Sequence, residues 1–314
     1  MKLTRFALPL TASLAALALA SCSSPTAATT SPGASGSPSA STATAPIDVV
    51  ASTNVWGDIA AKVGGDKVNV TSIIDDPDKD PHEYEASAQN QLALSKAKVV
   101  IENGGGYDDF VDTMLSSAKN TSATVLNAVT ISGKKAAAGE ELNEHVWYDF
   151  PTVEKVIDQI QSSYATIDPA SADTFANNAK QLKGSIDALV KKEGDLKATY
   201  NGQPASITEP VPLYMLEAIG LKNKTPDAFS EAIEEDTDVA PAVLQATLKL
   251  YSGHAVKLLA YNEQTTGAQT EAVLKAARDN NIPVVGVTET LPKGEDYVSW
   301  MTKNLDAIGA ALAK

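Results

Sequence analysis

The sequence predicts an α/β protein of two lobes, each built on a mostly parallel sheet, joined by one long helix. Three observations carry this reading. Short β-branched runs alternate with amphipathic stretches over residues 49–126, and the alternation returns over residues 206–312. Between the two blocks an apolar stripe runs at helical spacing with no strand signal. Strands that alternate with helices imply parallel pairing with helices on the sheet faces.

The chain begins with an export signal, expected over residues 1–21. Lys2 and Arg5 flank an apolar stretch from Phe6 to Ala20, too short for a span of about 20 residues. It ends in Leu19-Ala20-Ser21-Cys22, which resembles a bacterial lipobox and makes Cys22 the candidate lipidation site, and hence a membrane anchor. Cys22 is the only cysteine, so the mature chain can form no internal disulfide. Residues 22–46, the lipidated cysteine and a run of Ser, Thr, Ala, Gly and Pro, cannot bury enough apolar surface to offset chain entropy and are expected to be a disordered tether.

The N-terminal lobe is expected over residues 47–167. Val49-Val50-Ala51 reads as a strand, Val55 to Val63 as a helix closed by Gly64-Gly65, and Val68 to Ile74 as a second strand. Gln89 to Lys96 and Asp108 to Lys119 read as helices around the buried strand Val99-Val100-Ile101, with Thr124 to Leu126 as a further strand. Val153, Val156, Ile157 and Ile160 then share one helical face. The linking helix is expected over residues 168–202: Asp168-Pro169 opens it, and Phe175, Leu182, Ile186, Leu189, Leu196 and Tyr200 form its stripe, with Gly184 and Gly194 against its continuity. The C-terminal lobe, residues 203–314, reads as strands Ser206–Thr208, Val256–Tyr261 and Pro283–Thr288, with helices Pro212–Ile219, Ala240–Tyr251, Ala268–Arg278 and Tyr297–Leu312.

The formal charge is −14; losing Lys2 and Arg5 with the signal peptide, and no acid, makes it −16. That acidity argues against nucleic acid as a partner and mildly concentrates cations. Three histidines occur, two of them in donor-rich runs: His82 in Asp80-Pro81-His82-Glu83-Tyr84-Glu85 and His145 in Asn143-Glu144-His145-Val146-Trp147-Tyr148-Asp149. Imidazole is the commonest ligand of transition metals. His82, Glu209 and Glu289 each follow a strand, where ligands bind in open α/β sheets, and His145 precedes a helix. Two donors come from each lobe, so a metal site is expected in the inter-lobe cleft, and two imidazoles with two carboxylates suit Mn²⁺, Fe²⁺ or Zn²⁺. His254 reads as a surface residue. Counted as a calcium loop from Asp76, the acids put Pro81 where the sharp-turn glycine belongs. The acids Glu231, Glu234, Glu235, Asp236 and Asp238 read as a solvated helix face.

The segments Ala51-Ser52-Thr53-Asn54-Val55-Trp56-Gly57-Asp58-Ile59, Asp80-Pro81-His82-Glu83-Tyr84, Asn103-Gly104-Gly105-Gly106-Tyr107, His145-Val146-Trp147 and Tyr261-Asn262-Glu263-Gln264 carry a resemblance. From Ile47 to Lys314 the chain resembles the cluster A-I metal-binding solute-binding lipoproteins of bacterial manganese/zinc ABC importers. The resemblance implies an extracytoplasmic, lipid-anchored monomer that delivers Mn²⁺ or Zn²⁺ to an ABC permease and performs no chemistry on a substrate. It implies four metal ligands: His82, His145, Glu209 and, where the family usually has Asp, Glu289. The two carboxylates, with no histidine in the segment from Gly133 to Asn143, lean towards manganese. The rival is a metal-dependent hydrolase with Glu83 or Glu144 as base, for which the HExxH arrangement is missing.

Overall fold

The computed structural model describes residues 45–76, 84, 87–136 and 142–314. The signal peptide, Cys22, nearly all of the tether, His82 and Glu83 lie outside the described residues.

The first sheet is built from β1 (Ile47–Thr53), β2 (Val68–Ile74), β3 (Val99–Glu102) and β4 (Thr124–Asn127), interleaved with α1 (Asn54–Gly64), α2 (Ala88–Lys96), α3 (Phe110–Ala118) and α4 (Ala128–Ser132). Two long helices follow, α5 (Phe150–Ile167) and α6 (Ala172–Tyr200). The second sheet comprises β5 (Pro204–Ile207), β6 (Lys222–Asn223), β7 (Leu259–Asn262) and β8 (Val284–Val287). Its helices are α7 (Leu213–Ala218), α8 (Asp227–Glu234), α9 (Pro241–Ser252), α10 (Ala268–Asp279) and α11 (Tyr297–Leu312). Every ladder is parallel, and the strand orders β2-β1-β3-β4 and β6-β5-β7-β8 repeat the same topology. The order reverses between β1 and β3 and again between β5 and β7. Each such switch point opens a crevice at the strand C-termini.

The period of two decides which core each side chain joins. Ile47, Val49 and Ala51 face a central core with α1 and α5, whereas Val50 faces a second cluster with α2 and α3. On β7 and β8, Ala260, Val285 and Val287 point to the central core, while Leu259, Tyr261 and Val284 pack with a third cluster that includes α9 and α10. The central core thus runs through both lobes by way of α5, α6 and α11.

The helix α6 is continuous over 29 residues, about 43 Å, through both Gly184 and Gly194. Phe175, Ala179, Leu182, Ile186 and Leu189 bury one stripe, and the cost of two glycines, about 1 kcal/mol each, is small against that burial. No helix among the described residues is long and apolar enough to cross a membrane. Sequence reasoning missed α4 and the two-residue β6, and started β7 early, at Val256. These elements are too short to show a period.

The seam between lobes is also polar. Asn54 donates Nδ2–H to the carbonyl of Leu291 (3.0 Å) and accepts from its backbone N–H (2.8 Å). The backbone N–H of Tyr297 donates to Asp58 at 3.0 Å, and Lys62 pairs with Asp296 at 3.0 Å. Tyr148 donates its hydroxyl to the carbonyl of Thr288 at 2.8 Å.

The α6 stripe carries one charged residue, Glu193, at the position after Leu189. It is 5 % exposed and lines a cavity of about 300 Å³ with Tyr148, Phe150, Val190 and Tyr214. Its Oε1 has no hydrogen-bond partner among the described residues. Burial, and then the charge of Asp149, pushes its carboxyl from 4.5 up to about 8. The native chain therefore keeps a proton that the unfolded chain loses above pH 4.5. This contribution to stability is fully present below pH 4.5 and is lost as pH rises through about 8. Glu193→Gln should melt with wild type at pH 4 and several degrees above it at pH 9, read by thermal unfolding across that range.

Candidate metal centre

His145 is fully buried at the N-terminal edge of a short 3-10 turn, Val146–Tyr148, which leads into α5. Asp149 caps α5 by accepting from the Thr152 backbone N–H at 3.1 Å, and this fixes where the turn ends. The imidazole is walled by rings: Trp147 lies 5.0 Å away and Tyr107 5.9 Å away, both edge-on. Trp147 thus underpins the site, whereas Trp56 is a core residue of α1.

Asn143 sets the orientation of the ring. Its Nδ2 donates to the carbonyl of Pro210 at 3.1 Å, which leaves Oδ1 to face Nδ1 of His145 at 2.9 Å. Nδ1 then donates to Asn143, which leaves Nε2 facing the cleft as the nitrogen that a metal would take. Tyr214 donates to the carbonyl of Asn143 at 2.6 Å, so the His145 loop is tied to the second lobe on both sides. Pro210 contributes the carbonyl that this tie needs.

The triple glycine over residues 104–106 brings the neighbouring loop close. All three residues have positive φ, and a Cβ on Gly104 would stand 2.1 Å from Asn127. The carboxylate of Asp108 holds the turn by accepting from the backbone N–H groups of Asn103 (2.6 Å) and Gly104 (2.7 Å). Asn103 in turn donates to the carbonyl of Glu144 at 2.9 Å.

On the opposite side, Glu209 follows β5 and Glu289 follows β8, at 3 % and 1 % exposure. Asn262, at the end of β7, bonds to both: its Nδ2 donates to Glu289 Oε1 at 2.8 Å, and it also holds Glu209. Gln264 clamps the Glu289 loop, its Oε1 accepting from the backbone N–H of Glu289 at 2.6 Å and of Thr290 at 3.1 Å. Glu209 Oε2 is buried with no hydrogen-bond partner among the described residues. Burial first, then the charges of Glu234 and Glu289, push the Glu209 carboxyl up to about 9. Burial and then the Glu289 charge also raise Tyr107 well above the usual phenol range.

Glu234 corrects an expectation. Read from sequence as part of a solvated face, it ends α8 with its side chain 12 % exposed and Oε1 3.3 Å from His145 Nε2. Ser230, one turn earlier, is buried with Phe229 and Ile233, so this edge of α8 faces inward; Glu231, Glu235, Asp236 and Asp238 are exposed as expected. Donor atoms of Glu144, His145 and Glu234 lie within 4.8 Å of one another. His254 is exposed, as read.

Of the four expected ligands, the structure puts His145 in a group with Glu144 and Glu234, and puts Glu209 and Glu289 beside each other within the field of Glu234 but outside that group, while His82 lies outside the described residues. Among the groups that act most on Glu209, two are carboxylates and the others, Asn262 and Thr265, are neutral donors. A buried nitrogen lone pair facing several carboxylates suits a divalent transition metal.

Comparison with known proteins agrees. The family model described as "Zinc-uptake complex component A periplasmic" matches residues 49–311. A manganese-binding lipoprotein of Bacillus subtilis is 30 % identical over 148 residues, which span 46 % of this chain and 48 % of that protein. A manganese ABC transporter substrate-binding lipoprotein of Streptococcus gordonii is 25 % identical over 96 % of each chain. Among solved structures, a solute-binding protein of Pseudomonas aeruginosa in complex with Mn²⁺ shares the fold at TM-score 0.70 and 18 % identity, over 85 % of this chain and 98 % of that one.

The geometry predicts a single imidazole tautomer. Nitrogen-15 NMR of the metal-free protein at pH 8 should show His145 protonated at Nδ1, and Asn143→Ala should release it to the ordinary mixture. Asn143→Ala should also lower affinity for a metal held at Nε2 by about 10–100-fold in calorimetry.

Proposed function

The chain belongs to the family of periplasmic zinc-uptake component A proteins, and from that premise we propose that it captures Mn²⁺ or Zn²⁺ between its lobes through His82, His145, Glu209 and Glu289. It is an extracytoplasmic metal-binding lipoprotein, anchored to the membrane, and its partner is an ABC permease; it is not an enzyme. Cys22 is the residue we assign to the lipid, and a monomer is the state we expect.

The observation that carries the reading is the lone pair of His145 Nε2 on one lobe facing acids from the other. His145 would bind as neutral imidazole, and Glu209 and Glu289 as carboxylates. His82, on the segment after β2, would supply the second imidazole from the N-terminal lobe. The two glutamates and their Asn262 and Gln264 supports reach the site at the C-terminal ends of β5, β7 and β8, so cargo would contact both lobes and its release would require the polar seam to loosen. Two carboxylates among the four donors lean towards manganese as cargo.

Calorimetry on the purified protein tests this. One Mn²⁺ or Zn²⁺ should bind per chain, and His82→Ala, His145→Ala and Glu209→Ala should each abolish tight binding; wild-type affinity in any of these would remove that residue from the ligand set. Glu209 is held protonated up to about pH 9 in the metal-free protein, and a metal must displace that proton. Binding should therefore release protons at pH 7 and tighten as pH rises towards 9. Titration enthalpies in buffers of different ionisation heat measure that release.

A further inference from the structure

We propose that Glu234 is itself a metal ligand, a fifth donor that biases the site towards Mn²⁺; the inference rests on the cargo reading above. Its Oε1 lies 3.3 Å from His145 Nε2, the atom whose lone pair a metal would take. Two oxygen and nitrogen donors of one metal commonly stand about this far apart, since each bonds at about 2.0–2.2 Å on neighbouring corners of the coordination shell. A carboxylate oxygen of Glu144 completes a group with Glu234 and His145, all within 4.8 Å of one another, and the buried Glu209, whose Oε2 has no hydrogen-bond partner among the described residues, lies within the field of Glu234.

The backbone explains how α8 delivers the side chain. Phe229 and Ile233 seat the helix on the cluster beneath β7, and Glu234, one turn after buried Ser230, faces the cleft. Asp236, at φ 50°, then turns the chain, and Glu235, Asp236 and Asp238 are all exposed.

The chemistry follows from the donor count. Two imidazoles and two carboxylates complete the four-coordinate shell that Zn²⁺ prefers. A third carboxylate adds an oxygen that Mn²⁺, a harder ion accepting five or six ligands, uses and that Zn²⁺ does not need. It also raises the negative charge facing the ion. Glu234 would therefore be a specificity-determining ligand, supplied by a helix outside the four strand-end and loop positions.

Competitive calorimetry with Mn²⁺ and Zn²⁺ on the full chain, wild type against Glu234→Gln and Glu234→Asp, tests the proposal. Glu234→Gln should weaken Mn²⁺ binding by at least about tenfold and Zn²⁺ binding much less, with Glu234→Asp intermediate. X-ray absorption at the manganese edge should show one oxygen neighbour fewer in Glu234→Gln. An unchanged Mn²⁺ affinity, or an equal loss for both metals with an unchanged manganese shell, would overturn the proposal while leaving the cargo reading intact. A wild-type protein that binds neither metal would overturn both. Melting curves of the metal-free variants identify a folding defect, in which case Glu234→Asp, which keeps the carboxylate, decides.

Discussion

Buried and half-buried carboxylates share the cleft with a buried imidazole, and the arrangement of the cleft turns on that constraint. Moving Glu209 from its ordinary 4.5 up to about 9 means that ionising it in place costs about 6 kcal/mol more than in water. A domain is stable by only about 5–15 kcal/mol, so ionising this cluster without a compensating positive charge would use a large share of it. Protons can supply that charge, and so can a divalent cation, which does so with one particle and several bonds. Electrostatics thus favours a cation beside these groups, in keeping with the proposed cargo. Glu234 comes from the second lobe and Glu144 and His145 from the first, so a cation held among them would bridge the lobes.

The fold meets this constraint with neutral scaffolding. Asn143, Asn262 and Gln264 orient the donors through amide groups that carry no charge and would not compete with a cation. The same topology used twice puts two switch-point crevices face to face, and a core continuous through α5, α6 and α11 keeps them in register. The polar seam runs directly beside the donors: Tyr148 reaches the carbonyl of Thr288, next to Glu289, and Asn143 reaches Pro210, next to Glu209. A change in how the donors are satisfied is therefore felt at once by the lobe interface.

Much of this was legible in the sequence. The strands betray themselves by Val- and Ile-rich runs, and α6 by a stripe that two glycines do not interrupt. Glu209 and Glu289 stand just past strands, at the positions where parallel sheets bind ligands. Glu234 was hidden because its neighbours Glu231, Glu235 and Asp236 are solvated, and composition cannot tell one inward acid from four outward ones. A signal was present: Phe229 and Ile233 mark the buried side of a short helix, and Ser230 with Glu234 forms the adjacent edge. Glu193 was missed for a related reason, since it occupies an apolar position of the α6 stripe between Leu189 and Leu196. The orienting role of Asn143 depends on a contact across 67 residues of chain, to Pro210, and no local pattern encodes it.

The most direct test of the central claim is anomalous diffraction from crystals grown with Mn²⁺, recorded above and below the manganese edge. The account predicts one strong peak per chain, within bonding distance of His145 Nε2 and of the Glu209 and Glu289 carboxylates. A peak elsewhere on the acidic surface, or a cleft that stays empty at saturating metal, would contradict it.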